Sequence, residues 1–310
     1  MLNFYKTVDN RVKEITQAED GCWICAVCPT EQEVRYLVDT LGLEQDFVRA
    51  ALDEEESSRV ESEDDQTLVI VDVPTAEKQD EDKTVVYSTM PMAIISNERM
   101  ITTVCLRENA VINEIRQGLV KNIKTHMRTR FLLTILLRIA TRFLQYLKQI
   151  DKISYTTENL LHKTMRNQEL IQILGLEKSL VYFSTSLKSN EVTLEKILRG
   201  RIIKLYEEDE DLLEDVIIEV KQAIEMCSIY SNVLSNTMDA FASIISNNLN
   251  IVMKVLTAVT ILIEIPNTIF GLYGMNVSGL PFPTFWVSIL VATVLVIVCA
   301  LILWKKDMFK

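Results

Sequence analysis

Residues 251–273 read IVMKVLTAVTILIEIPNTIFGLY, with one lysine, Lys254, and one acid, Glu264. A hydrocarbon core of about 30 Å takes roughly 20 apolar residues of helix, so this segment is long enough to cross a membrane. Residues 285–304, FWVSILVATVLVIVCALILW, form a second such run without any charge. A helix on a soluble surface keeps a broad polar face, and neither run has one. Between them, Val277 to Thr284 hold two prolines, a glycine and no charge. The chain then ends in Lys305-Lys306-Asp307-Met308-Phe309-Lys310. Lysine gathers on the cytoplasmic side of a span and tryptophan at both interfaces. With Trp286 and Trp304 near the ends of the second run, a multi-pass protein of the plasma (inner) membrane is expected. Its short loop lies outside and both termini lie in the cytoplasm.

Upstream the composition changes. The chain carries −11 and residues 251–310 carry +2, which leaves −13 on residues 1–250. A nucleic-acid partner would want a basic face, whereas an acidic one draws cations. The first residues, MLNFYKTVDNRVKEI, lack the apolar core of a signal peptide, so the soluble part is expected in the cytosol with reduced thiols. Residues 1–120 carry strand signals: Cys22–Cys28, Leu68–Val73 ending at Pro74, Val85–Tyr87, Met92–Ile95 and Ile101–Val104. Thr30-x-x-Glu33 has the form of a capping box opening a helix. Together these predict a small α/β domain over 1–120. Cys22-x-x-Cys25-x-x-Cys28 has two readings, a thiolate metal site lacking a fourth ligand or buried strand thiols. Strand alternation, which turns Cys25 away from the other two, favours the second. The acids from Asp53 to Asp65 read as a solvated, partly mobile loop.

From about Ala110 the period becomes helical, and no proline occurs between Pro91 and Pro266. Proline is the strongest helix breaker, so long helices are expected, with breaks near Asn122–Thr125, Ser189–Asn190 and Gly200. The resulting division is cytosolic helices over 121–206, a stalk helix over 207–250 and a first transmembrane helix over 251–273. An outer loop over 274–284, a second transmembrane helix over 285–304 and a basic tail over 305–310 complete it. Acids at Glu207-Glu208-Asp209-Glu210-Asp211 suit the first turn of the stalk. Stalk and first span then read as one helix of roughly 100 Å at 1.5 Å per residue.

Stepping along that helix by three and four residues from Asn236 gives Asp239, Ser243, Ser246, Asn250, Met253, Thr257, Thr260, Glu264, Asn267 and Gly271. This seam is almost wholly polar or small while most other faces of the span are Val, Ile, Leu or Phe. In lipid, polar side chains face a partner or water. Serine, threonine and glycine alone would fit a tight helix contact. Asp239, Asn250, Glu264 and Asn267 fit better the wall of a water-filled pore shared by several copies. Lys254 lies off the seam, near the cytosolic interface.

The first span closes on Tyr273-Gly274-Met275-Asn276. With that motif there, two C-terminal spans and a long soluble part, the chain resembles the CorA-type magnesium channel family. Trp23-Ile24 before Pro29-Thr30, Arg59-Val60-Glu61 before a strand, Val252–Thr257 and Ile265-Pro266 extend the resemblance over the whole chain. It implies a funnel-shaped homopentamer in the bilayer, its pore lined by the first span. Gly274, Met275 and Asn276 would form the selectivity filter, with Asn276 as an outer ring of amide oxygens. Asp239, Asn250 and Met253 would line the cytosolic half, and Leu256 and Thr257 would lie near the constriction. Asp215 matches a regulatory metal position whose partner acid is not identified; Asp72 and Asp80-Glu81-Asp82 are candidates. Magnesium would be both permeant and regulatory ion, with no cofactor. Two departures stand out: Val277–Thr284 lack the acid some relatives carry, and Glu264 occupies a pore position often hydrophobic or neutral.

Two rivals remain. Relatives of this two-span type move zinc, some by proton coupling, and cobalt or nickel pass in others. A membrane-anchored coiled-coil sensor without a pore is the rival of another class. An enzyme is not expected: there is no phosphate-binding glycine loop or His-Glu-x-x-His, and the two histidines, His126 and His162, read as helical surface residues.

Overall fold

A computed structural model of the chain describes residues 1–310 apart from 10, 79–84, 165, 166, 201, 204, 276–278, 280, 282, 283 and 310, and gives the backbone alone at 162–164. The candidate acids Asp80, Glu81 and Asp82 and the motif residue Asn276 thus lie outside the described residues. The chain divides into two compact units, Met1–Ser235 and Asn236–Lys310.

In the first unit β1 (Leu2–Val8), β2 (Arg11–Ile15), β3 (Trp23–Val27), β4 (Arg59–Glu63), β5 (Gln66–Lys78), β6 (Val85–Ser96) and β7 (Ile101–Cys105) form one sheet. Its order is β2-β1-β3-β7-β6-β5-β4. The β3–β7 pair is parallel and the others are antiparallel. One face is covered by α1 (Glu31–Arg35), a π-helical turn (Tyr36–Thr40) and α2 (Gln45–Ala50). There Ile24, Leu68, Ile70 and Ile95 pack on Leu37, Phe47 and Val48. The capping box forms: Thr30 Oγ1 accepts from Glu33 N at 3.3 Å and Glu33 Oε2 from Thr30 N at 2.8 Å.

The other face carries α3 (Ala110–Arg116), α4 (Arg128–Thr164) and α5 (Asn167–Gly200). Trp23 donates to Thr103 Oγ1 at 2.9 Å and meets the Phe131 ring edge-on at 5.5 Å. Phe143 of α4 stacks edge-on to Phe183 of α5 at 5.0 Å, and Tyr87 of β6 lies against Tyr146 and Phe183. The last helix of this unit, α6 (Glu207–Tyr273), buries Leu213, Val216, Val220, Ala223 and Cys227. That spacing of three and four residues is one helical stripe.

The structure corrects several sequence expectations. Cys25 is a buried strand thiol and Cys22 is buried just ahead of β3, whereas Cys28 is exposed with a left-handed backbone, φ 44°. Desolvation pushes the Cys25 thiol up to about 11. The acid run is partly strand, since Arg59–Glu63 pairs with β5. His126 lies in a turn ahead of α4, not in a helix. A boundary between α4 and α5 falls after Thr164, where no break was expected, and α5 runs without interruption through Ser189–Asn190.

Asn190 is not a helix breaker but a substitute for a strand. β4 stops pairing at Arg59 opposite Ile70, so the rest of β5 has an open edge. There Asn190 Oδ1 accepts from Asp72 N at 2.8 Å and from Ser58 Oγ at 2.9 Å, while its Nδ2 donates to Asp72 O at 2.9 Å. The side-chain amide thus copies the two bonds of a neighbouring strand. Asp72 therefore turns its backbone groups outward, and so does Pro74 two residues on. A missing N–H at Pro74 forfeits no ladder bond there, which is why β5 continues to Lys78 instead of ending at Pro74.

Removing the Asn190 amide leaves the Asp72 N–H and C=O buried without partners, at about 1–3 kcal/mol per group. Asn190→Ala is expected to lower the unfolding free energy of the full chain, read from urea unfolding, by a margin of that order. A change within error would mean that water replaces the amide. Burial also pushes the Asp72 carboxyl up, against a hydrogen bond from Ser186. A raised acid costs the folded state when ionised, so the cost is absent below the unfolded value of about 3.9 and sets in as pH rises toward the folded value. Asp72→Asn is thus expected to gain stability relative to wild type as pH rises from acid to neutral. A gain independent of pH would remove the carboxylate from the explanation.

Candidate functional site

The second unit holds the membrane-length segments. Both α6 and α7 (Phe285–Lys305) are long and apolar enough to cross a membrane. Here α6 buries Ala258 and Ile269, and α7 buries Ser288, Ala292 and Leu303. Small residues at such a contact let two helices approach closely. Trp286 and Trp304, 77% and 66% exposed, mark the two ends of α7.

At about 100° of rotation per residue, Ala258 and Ile269 lie roughly 120° and 140° round the helix from Glu264. The polar seam therefore points away from α7. Asp239, Ser243, Ser246, Asn250, Met253, Thr257, Thr260, Glu264, Asn267 and Gly271 are all exposed within the chain. Leu256 sits about 80° off Glu264, on the seam's edge, beside the exposed apolar face of Val252, Val259, Ile263 and Phe270.

The hydroxyls on the seam have a fixed sense. Ser243 Oγ donates to Asp239 O at 3.0 Å, Thr257 Oγ1 to Met253 O at 2.7 Å and Thr260 Oγ1 to Leu256 O at 2.8 Å. Each hydrogen is spent on the helix, so the oxygen offers its lone pairs outward. Oxygens presented this way are acceptors for a cation or for its water.

At the outer end α6 closes tightly. Gly274 N donates to Phe270 O at 2.9 Å, and Met275 N to Leu272 O at 3.3 Å. A Cβ on Gly274 would come within 3.1 Å of Phe270 O, so the turn has little room for a side chain. Tyr273 Oη donates to Pro281 O at 3.1 Å, tying the loop back to the helix. Met275 is exposed.

In the first unit Asp215 and its neighbour Glu214 are exposed on α6. Asp72 is instead half-buried, its backbone held by Asn190 of α5, so it does not share Asp215's open setting. Among the described residues no three His, Cys, Asp or Glu side chains converge as a metal site. Sequence reasoning missed Asn190; a buried carboxamide on a helix otherwise packed on a sheet was its signal.

A soluble α/β unit, a membrane-length helix with a polar stripe and a second apolar helix packed on it define a membrane transport protein. The family model of the CorA-like Mg2+ transporter protein matches residues 18–306, and the chain belongs to this family of divalent cation transporters, not enzymes. The cobalt/magnesium transport protein CorA of Methanocaldococcus jannaschii is 29% identical over 287 residues, 89% of this chain and 87% of that one. The protein of the same name from Thermotoga maritima is 32% identical over 116 residues, 34% of this chain and 33% of that one. The complete structure of the Methanocaldococcus jannaschii CorA magnesium transporter superposes with a TM-score of 0.81 at 24% identity, covering 99% of this chain and 96% of that one. The full-length CmaX protein shares the fold, with a TM-score of 0.70 at 16% identity, over 99% of this chain and 96% of that one.

If the seam is wetted, single cysteines at Thr260 or Asn267 in a cysteine-free background will react with a small charged thiol reagent in membranes. Cysteines at Val259 or Ile263 will react far more slowly. Equal rates on both faces would place the seam in no aqueous path.

Proposed function

We propose that the chain forms a ring of identical subunits, five by the family resemblance, whose α6 seams enclose a path for divalent cations. Magnesium is the principal cargo, taken up across the plasma membrane into the cytoplasm. The observation that carries this reading is the phase of the seam: it is polar, exposed within the chain and turned away from α7. A row of this polarity against lipid is unfavourable, and a shared water-filled axis removes the cost. The cargo rests on the relatives named as cobalt/magnesium transport proteins.

Asn276, with Gly274 and Met275, acts as the filter at the outer mouth. Magnesium loses water reluctantly, so amide oxygens that grip the hydrated ion suit it. The tight turn at Gly274 and the Tyr273–Pro281 bond support a loop held close to the helix end. Lys305 and Lys306 set the C-terminus inside. On the acidic soluble unit Asp215 holds a regulatory divalent ion with an acid of another copy. The inward setting of Asp72 argues against it as that acid.

Magnesium uptake into liposomes holding the purified protein tests the reading. Wild type is expected to load the vesicles, and Asn276→Ala to lose uptake or selectivity. No uptake by wild type at low internal magnesium would sink the magnesium channel and leave zinc transport or the pore-free sensor. Asp215→Asn is expected to keep uptake but require more internal magnesium to shut it off. An unchanged shut-off concentration would remove Asp215 from regulation.

A further inference from the structure

Glu264 differs from every other seam position. It is the one acid between Ile251 and Tyr273. No hydrogen bond or ion pair forms on its carboxylate among the described residues, and its backbone carbonyl accepts from Thr268 Oγ1 at 2.9 Å. The face of α6 that meets α7 lies more than a quarter-turn away, at Ala258 and Ile269, so α7 does not cover it. An acid left at mid-span against acyl chains is unfavourable, and among the described residues nothing offsets this. One turn to either side lie Thr260, whose oxygen presents its lone pairs outward, and Asn267.

We infer that Glu264 is the specificity-determining residue of the path. Brought together from neighbouring copies, these carboxylates bind the permeating ion directly and favour first-row transition divalents such as cobalt over magnesium. The inference rests on the pore reading above. Magnesium keeps its water shell and meets a carboxylate ring mostly through that shell. Transition divalents bind a given oxygen site more tightly along the series from manganese toward copper and enter direct contact. Neutral Thr260 and Asn267 oxygens hold the remaining waters on either side. A second ion arriving through the outer mouth repels the first and pushes it on, which keeps a charged ring conducting for the weakly held ion. A tightly held ion dwells and blocks.

The test is cobalt block of magnesium uptake in liposomes containing the full chain, for wild type, Glu264→Gln and Glu264→Asp. Glu264→Gln is expected to raise the half-blocking cobalt concentration, measured against its own magnesium uptake, at least about tenfold, the ratio that corresponds to 1.4 kcal/mol. Glu264→Asp is expected to weaken the block measurably, by a smaller factor than Glu264→Gln. Unchanged cobalt block in Glu264→Gln, with uptake intact, would overturn the assignment and leave the pore standing. Should Glu264→Gln carry no magnesium, Glu264→Asp decides: its shorter arm weakens the block if the carboxylates bind cobalt, and an unaltered block overturns the inference. Wild type without any magnesium uptake removes the pore and this assignment together.

Discussion

A helix of membrane length that carries Asn250, Glu264 and Asn267 along one line cannot leave that line against acyl chains. The rest of the second unit conforms to this constraint. The face of α6 given to α7 bears Ala258 and Ile269, and α7 answers with Ser288 and Ala292. Intrachain packing thus uses small and apolar residues and leaves the polar line unspent. The threonine hydroxyls follow the same logic: bonded back to the helix, they need no partner for their hydrogen and expose only acceptor lone pairs. Within one chain the polar line stays exposed, and the proposed shared axis answers that exposure.

The soluble unit meets a different demand. Helices as long as α4 and α5 bury one face on a sheet whose edge strand β4 is much shorter than its neighbour β5. β4 covers only the first part of β5, and the uncovered part is finished by a helix side chain. The aromatic cluster of Tyr87, Phe143, Tyr146 and Phe183 then fixes α4 and α5 on the same face. Polar pairing at Asp72 and ring packing at Tyr87 lie on neighbouring strands and set the position of α5 from two sides.

What could be read in the sequence follows from how strong each local signal is. Two runs of about twenty apolar residues leave few alternatives, and a 3.5-period seam over many turns survives small errors in helix bounds. The capping box at Thr30 was legible because its chemistry is local. Ser189-Asn190 misled for the opposite reason: a residue poor in a helix by propensity was retained for a contact with Asp72, far away in sequence. Pro74 misled likewise, since proline ends a strand only where a ladder bond is needed. The charged stretch around Arg59–Glu63 hid a strand because its partner lies on one side only.

The open edge of β5 also bears on how the molecule avoids sticking to itself. A strand edge with free N–H and C=O groups is a template onto which another chain can add. Beyond Ile70 this edge displays a proline at position 74 and an Asp72 peptide already satisfied by Asn190. Neither can accept a full set of bonds from an incoming strand. Copies of this protein that meet one another are thereby steered away from edge-to-edge sheet growth, the route by which β-rich chains precipitate, leaving association to their helices.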